Sequence, residues 1–157
     1  MDRLRVAALT DASTTQLTEV AALFDQYRQH YGEPAAPAQA LAWLTRHTRS
    51  GQLTIFTARR GPDLVGLATT VTVPASLVLG CFWQLRDLYV IPSARRCGAG
   101  RALLQAVRQA ASAAGATRLS VQTEPANTAA LQLYRTSGFT PVRGIEALIL
   151  PLHQDRT

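Results

Sequence analysis

The sequence predicts an α/β domain, a mixed sheet of about six to seven strands flanked by about four helices. Three observations lead there. Leu85 to Leu104 passes from a strand-like run (Leu85, Leu88, Tyr89, Val90, Ile91) through Pro92 and Ser93 and a turn bearing Gly98 and Gly100. It then enters a helix with Leu103, Leu104 and Val107 on one side. Leu119, Val121 and Thr123 alternate as a strand after that helix, and a helix set between two neighbouring parallel strands makes a right-handed βαβ crossover. Upstream, apolar residues recur at three- and four-residue intervals from Leu17 to Tyr31, the period of a helix packed on one face.

Taken in order, Leu4, Val6 and Ala8 alternate with Arg5 and Ala7 as a first strand. Ser13 and Gln16 stand at capping-box spacing and open a helix over about Ser13 to Tyr31, with Leu17, Val20, Ala21, Phe24, Tyr27 and Tyr31 facing inward. Gly32 and Pro34 end it. Pro37 to Arg49 reads as a second helix. Leu53, Ile55 and Phe56 begin a strand, Arg60-Gly61-Pro62-Asp63 is a turn, and Leu64 to Val73 returns as the other arm of a hairpin. Gly66 within that arm implies a bulge or a close backbone approach. Pro74-Ala75-Ser76 is expected to break the chain before the apolar run Leu77 to Val90. The helix after the glycine turn spans about Gly98 to Ala114, with Gly115 at its C′ position. Asn127 to Ser137 forms the last helix, closed by Gly138. Phe139 to Val142 and Ala147 to Leu150 complete the expected sheet, and Pro151 onward is a tail.

A chain of 157 residues suits a single domain over 1–157 that buries a core without disulfides or metals. No apolar run reaches the length of a membrane span, and Met1 to Arg5 leads into a short alternating stretch rather than a secretory h-region, so a cytoplasmic protein is expected. Cys81 and Cys97 read as reduced thiols without metal-site spacing. His30, His47 and His153 lack a paired serine or carboxylate at a recognisable spacing, which leaves a hydrolase triad unsupported. All 16 basic side chains are arginines against 10 acids, giving a net charge of +6. That field attracts polyanions, but the arginines are scattered, with no zinc-finger spacing or aromatic-studded basic stretch.

The glycine turn carries the chemistry. The first amides of the helix that starts near Gly98 and Gly100 lack intrahelical partners and sit at the positive end of its dipole, a setting that binds phosphate. Arg95, Arg96 and Arg101 flank it and can donate forked hydrogen bonds; a Gly-rich turn with solvated arginines is the plain alternative. A P-loop is excluded because Arg101 and Ala102 follow the last glycine and the chain has no lysine. The dinucleotide fingerprint fails at Leu103, where it needs a third glycine.

What fits is R-x-x-G-x-G, here Arg95, Gly98 and Gly100, after a strand ending Asp87-Leu88-Tyr89-Val90. It resembles the central motif of the GNAT superfamily of N-acetyltransferases. Asn127, Ala130, Tyr134, Gly138 and Phe139 are similar to a second signature of that family, and Leu23 to Arg28 with Tyr31 resemble the first helix of its Hpa-type histone and polyamine subgroup. The resemblance implies a GNAT-type sheet with a splayed pair of parallel strands and acetyl-coenzyme A as cofactor. Its pantetheine arm would lie along Leu88, Tyr89 and Val90. Its pyrophosphate would lie on the amides of Arg96, Cys97, Gly98, Ala99, Gly100 and Arg101, beside Arg95, and a backbone N–H near Leu88 would face the thioester oxygen.

Tyr134 is then either the candidate proton donor to the departing thiolate or an aromatic on the buried face of the last helix, near Leu131. Asn127 either holds the cofactor arm or simply caps the last helix, and can do both. Asp87 and Glu124 are the candidate bases, each equally readable as a rim residue or an ion-pair partner of an arginine. Tyr27, Tyr31 and Trp43 either line the acceptor pocket or pack in the core. The implied activity is transfer of an acetyl group to a primary amine of a small molecule or peptide by direct attack on the thioester. Alternatives are another donor, such as a longer acyl-coenzyme A or an aminoacyl-tRNA, and a non-catalytic acyl-coenzyme A-binding module. The same resemblance makes a homodimer paired through the late strands an expectation, and tRNA a less favoured partner.

Overall fold

The two faces of the sheet are set by strand alternation and by two deliberate breaks in it. In the computed structural model, which describes residues 2–152, β1 (Leu4–Ala8), β2 (Thr54–Arg60), β3 (Asp63–Ala75) and β4 (Gly80–Val90) run antiparallel in sequence order. β5 (Leu119–Val121) adds to β4 in parallel, and the intervening α3 (Ala99–Ala113) supplies the crossover. Met1 and residues 153–157, including His153 and most of the expected tail, lie outside the described residues.

α1 (Thr14–His30) and α2 (Pro37–Arg49) cover one face, where Val20, Leu23, Phe24, Leu44, Ile55, Leu67 and Tyr89 form one core cluster. α3 and α4 (Thr128–Thr136) cover the other, where Phe56, Val65, Leu85, Leu103, Leu104, Val107 and Tyr134 form a second. The helix ends follow their sequence chemistry. Ser13 and Gln16 complete a reciprocal capping box on α1, and Pro37 begins α2 where its missing N–H costs nothing.

The turn between α1 and α2 is held by a buried carboxylate. Asp25, 3% exposed, accepts hydrogen bonds from the Ala36 amide at 3.1 and 3.2 Å and from Arg28 Nη1 at 2.7 Å. Burying that charge is tolerated because its oxygens are occupied by donors.

Each break in alternation is a β-bulge. Val65 is an extra residue in β3 between the Ala58–Gly66 and Arg59–Leu64 pairs, and Arg86 is an extra residue in β4 between Thr69–Asp87 and Thr70–Leu85. Next to the first bulge, Gly66 is required by close approach: a Cβ there would sit 2.9 Å from the Tyr89 carbonyl oxygen. The second bulge shifts the parity of β4, so that Leu85 and Leu88 both pack against the α3 face while Tyr89 joins the α1 and α2 core.

Three expectations are corrected. The strand runs through Pro74 to Ala75, because β2 stops pairing at Thr70 and leaves the far side of β3 open to accommodate a residue without an N–H. The chain turns instead at Ser76–Val78 and at Leu79, whose φ is 53°. β5 is short, ending at Val121 rather than Thr123. Finally, Phe139 to Val142 and Ala147 to Leu150 form no strands among the described residues, so the sheet has five strands rather than six to seven. Pro141 lacks a ladder donor, and Val142, Ile145, Leu148 and Ile149 find no surface to cover them, being 73–91% exposed.

Candidate active site

β4 leads from a cavity on the α1 and α2 face to the glycine turn at the start of α3. Its parallel pairing with β5 ends at Leu85 and Val121, yet β4 itself continues to Val90. From Arg86 onward its β5 side is therefore an unpaired backbone edge, and Leu88, Tyr89 and Val90 lie on it. The carbonyl of Val90 already accepts a hydrogen bond from Arg95 Nε at 2.9 Å, and the Arg95 guanidinium lies 5.6 Å from the centre of the Tyr89 ring.

The turn itself is bent by two left-handed residues, Arg96 at φ 58° and Gly98 at φ 83°. Only glycine takes the second without strain. The first bond of α3 runs from the Ala102 amide to the Gly98 carbonyl at 2.9 Å, so the amides of Ala99, Gly100 and Arg101 have no partner within the helix. A Cβ on Gly98 would meet nothing within 4 Å, which leaves the space over the turn open; one on Gly100 would come to 3.4 Å from Leu133 of α4. Cys97 is an exposed free thiol in the same turn. Open amides, a positive helix end and the guanidinium groups of Arg95, Arg96 and Arg101 fit a pyrophosphate, and the free edge of β4 fits an amide-bearing arm.

The cavity at the other end of this edge has a volume of about 780 Å³. Tyr27, Trp43 and Asp87 line it, together with Phe24, His47 and Arg86. Asp87 is fixed by a hydrogen bond from the Thr69 hydroxyl across the β3–β4 pair. Trp43 stacks on Phe24 with ring centres 5.8 Å apart and planes 4° from parallel, and is itself 43% exposed. Tyr31 is not part of the cavity wall; it packs edge-on against Tyr27 at 5.2 Å and accepts a hydrogen bond from Asn127 Nδ2 at 3.3 Å. Asn127 also caps α4, its Oδ1 accepting from the Ala130 amide at 3.3 Å. The Asn127–Tyr31 contact joins helices on opposite faces of the sheet, past the end of β5.

Tyr134 is nine-tenths buried on α4, against the ring of Phe139 at 5.6 Å. Burial first, then the neighbouring Tyr31 and Asp87, push its phenol up to about 12. The Tyr27 phenol is pushed up further, by burial and then by the Asp87 carboxylate. Tyr27, Tyr31, Tyr134 and Asp87 thus share one electrostatic neighbourhood where the sheet opens. Glu124 stands apart: it is exposed in the turn before α4 and lines no part of the cavity, although its carbonyl accepts from the Asn127 amide at 3.0 Å. Arg86 and His47 line the cavity and Thr69 orients Asp87, and sequence reasoning singled out none of the three for the site. One signal was available for Arg86: Leu85 and Leu88 are three apart, a spacing that no regular strand can place on one face.

With that geometry in view, the chain matches the model of the acetyltransferase (GNAT) family over residues 17–139. It is 31% identical over 131 residues to YhfO of Bacillus subtilis (strain 168), an uncharacterized N-acetyltransferase, a match covering 83% of this chain and 88% of that protein. It is 37% identical over 68 residues to an aminoglycoside N(6')-acetyltransferase type 1 of Klebsiella aerogenes, covering 43% of this chain and 45% of that one. The crystal structure of a probable acetyltransferase superposes with a TM-score of 0.88 at 29% identity, covering 96% of this chain and 99% of the other. Fold, glycine turn and relatives therefore converge: the chain belongs to the GNAT family of acetyltransferases and is an N-acetyltransferase.

Proposed function

We propose that the protein acetylates a primary amine held in the Asp87 cavity, using acetyl-coenzyme A bound along β4 and the glycine turn. The observation that carries this reading is the early end of the β4–β5 pairing, which leaves one free backbone edge joining the cavity to the turn. Acetyl-coenzyme A, when bound, supplies an activated acetyl thioester for direct attack by the amine. The amides of Arg96 to Arg101 hold its pyrophosphate, with the Arg95, Arg96 and Arg101 side chains beside them, and Leu88 to Val90 offer backbone groups to its arm.

The chain's own groups then manage charge and protons. An amine enters protonated at neutral pH and must lose a proton to become nucleophilic; Asp87, oriented by Thr69, accepts it directly or through water. A backbone N–H near Leu88 stabilises negative charge on the acyl oxygen. Tyr134 keeps its proton across the working pH range, because burial raises its phenol to about 12, and so has one to donate to sulfur. Asn127 holds α4, and with it Tyr134, against Tyr31 of α1. A second copy of the chain is the partner, its pairing favoured by the exposed apolar positions Val142, Ile145, Leu148 and Ile149.

The test is thiol release from acetyl-coenzyme A across a panel of small amines and peptides, with product mass read in parallel. An amine-dependent thiol signal matched by an added acetyl group is expected. Acetyl-coenzyme A binding in a folded sample with no acetylated amine would reject the catalytic reading in favour of a binding module.

A further inference from the structure

The acceptor cavity carries a distinct charge pattern. Its lining holds one carboxylate, Asp87, and two guanidinium groups, Arg28 and Arg86. Arg28 is engaged elsewhere, ion-paired to the buried Asp25 at 2.7 Å. Arg86 is exposed, contacts Gln84 at 3.3 Å, and has no carboxylate within ion-pair distance among the described residues. Neighbouring strand residues ordinarily point to opposite faces. Here Arg86 is the extra residue of the β4 bulge, and for that reason Arg86 and Asp87 line the same cavity. Beside this dipolar pair stands an aromatic wall, with Trp43 part-exposed and stacked on Phe24.

We infer that the acceptor is an amino acid or a closely related amino-carboxylic acid with an apolar or aromatic body. Its ammonium faces Asp87, its carboxylate faces Arg86, and its side chain lies against Trp43. This deepens the acetyltransfer reading and rests on it. A guanidinium can hold a carboxylate by two parallel hydrogen bonds, and an ammonium two bonds away from that carboxylate matches two charged side chains on consecutive residues. A polycation fits badly: an aminoglycoside or polyamine would bring several ammonium groups to a cavity that offers a single carboxylate, set beside the Arg86 guanidinium. An aminoglycoside, the substrate named for one relative, is therefore a poor acceptor for this cavity.

The test pairs each acid with its own decarboxylated amine. L-phenylalanine, L-tryptophan, L-methionine and L-leucine are compared with phenethylamine, tryptamine, 3-(methylthio)propylamine and isoamylamine, with spermidine and kanamycin as polycations. All are assayed by kcat/KM with acetyl-coenzyme A and by calorimetric titration into the protein–coenzyme A complex. At least one acid is expected to exceed its amine by about 10- to 100-fold in both readouts, the range expected of a charge-assisted bidentate contact. Arg86→Gln should bring that ratio close to one, while Arg86→Lys retains part of it. A preference for the amines or polycations, or a ratio indifferent to Arg86→Gln, overturns the inference. The acetyl-coenzyme A melting shift is measured first on the same sample. Its absence would sink the donor reading and this inference with it, whereas a clear shift without acid preference sinks this inference alone.

Discussion

Replacing Tyr134 by phenylalanine removes one oxygen and little else. The ring is nine-tenths buried against Phe139, and its hydroxyl makes no hydrogen bond within the protein among the described residues. Packing is thus retained, and the change in stability should stay below about 1 kcal/mol, or about 2–4 °C in melting temperature. Catalysis is a different matter: a positioned acid contributes about 10²–10⁴ in rate, or about 2.7–5.5 kcal/mol of barrier. We expect kcat to fall in that range with the affinity for acetyl-coenzyme A unchanged. Because the wild-type phenol titrates near 12, its proton is in place throughout pH 6–10, and Tyr134 contributes no descending limb to the kcat profile there.

The same raised value makes a stability prediction whose sign can be worked out. The unfolded tyrosine loses its proton near 10 while the folded one holds it to about 12, so the unfolded state is favoured progressively as pH rises through that window. The stabilisation present below pH 10 is lost between 10 and 12, about 2.7 kcal/mol for the two-unit rise. Chemical denaturation at pH 9 and pH 11 should show about half of this loss, and less in Tyr134→Phe. Kinetics of the variant within threefold of wild type at every pH would refute Tyr134 as the proton donor.

Other perturbations test the scaffold. Asp25→Ala strips the acceptor from the Ala36 amide and from Arg28, and should cost about 2–4 kcal/mol in denaturant titrations, with Asp25→Asn milder. Gly66→Ala places a Cβ 2.9 Å from the Tyr89 carbonyl, backbone that cannot swing aside. It should destabilise by about 1–3 kcal/mol and weaken coenzyme binding along β4, an outcome readable by melting with and without the ligand. The exposed apolar run at Val142, Ile145, Leu148 and Ile149 predicts self-association. Sedimentation should show a dimer, converted to monomer by Leu148→Glu with Ile149→Lys; a monomeric wild type at tens of micromolar would refute the pairing.

How much was legible in the sequence follows from which forces are local. The capping box at Ser13 and Gln16, Pro37 at the start of α2 and the periodicity of α1 are local, and these elements form where the pattern puts them. Gly98 and Gly100 mark the turn because backbone geometry there demands glycine or benefits from it. The bulge at Arg86 was not read, since it is decided by pairing with β3, a partner eighteen residues away in sequence at the Thr69–Asp87 contact. Its consequence, Arg86 and Asp87 in one cavity, was hidden with it. The late strands failed for the opposite reason: Ala147 to Leu150 has strand-like composition, but composition cannot supply a neighbour to pair with. Glu124 is exposed and outside the cavity lining, because a place after a strand end in sequence does not fix where a turn side chain lies.

The most direct measurement is the melting temperature of wild type and of Gly98→Ala with and without acetyl-coenzyme A. Ligand at about 100 times its Kd should stabilise wild type by about 2.7 kcal/mol, raising the transition by about 5–10 °C. Gly98→Ala, which must hold alanine at φ 83° and places a methyl group in the open space over the turn, should lose most of that shift while still melting cooperatively. No shift in folded wild type, or an equal shift in both, would contradict the assignment of this turn as the acetyl-coenzyme A site.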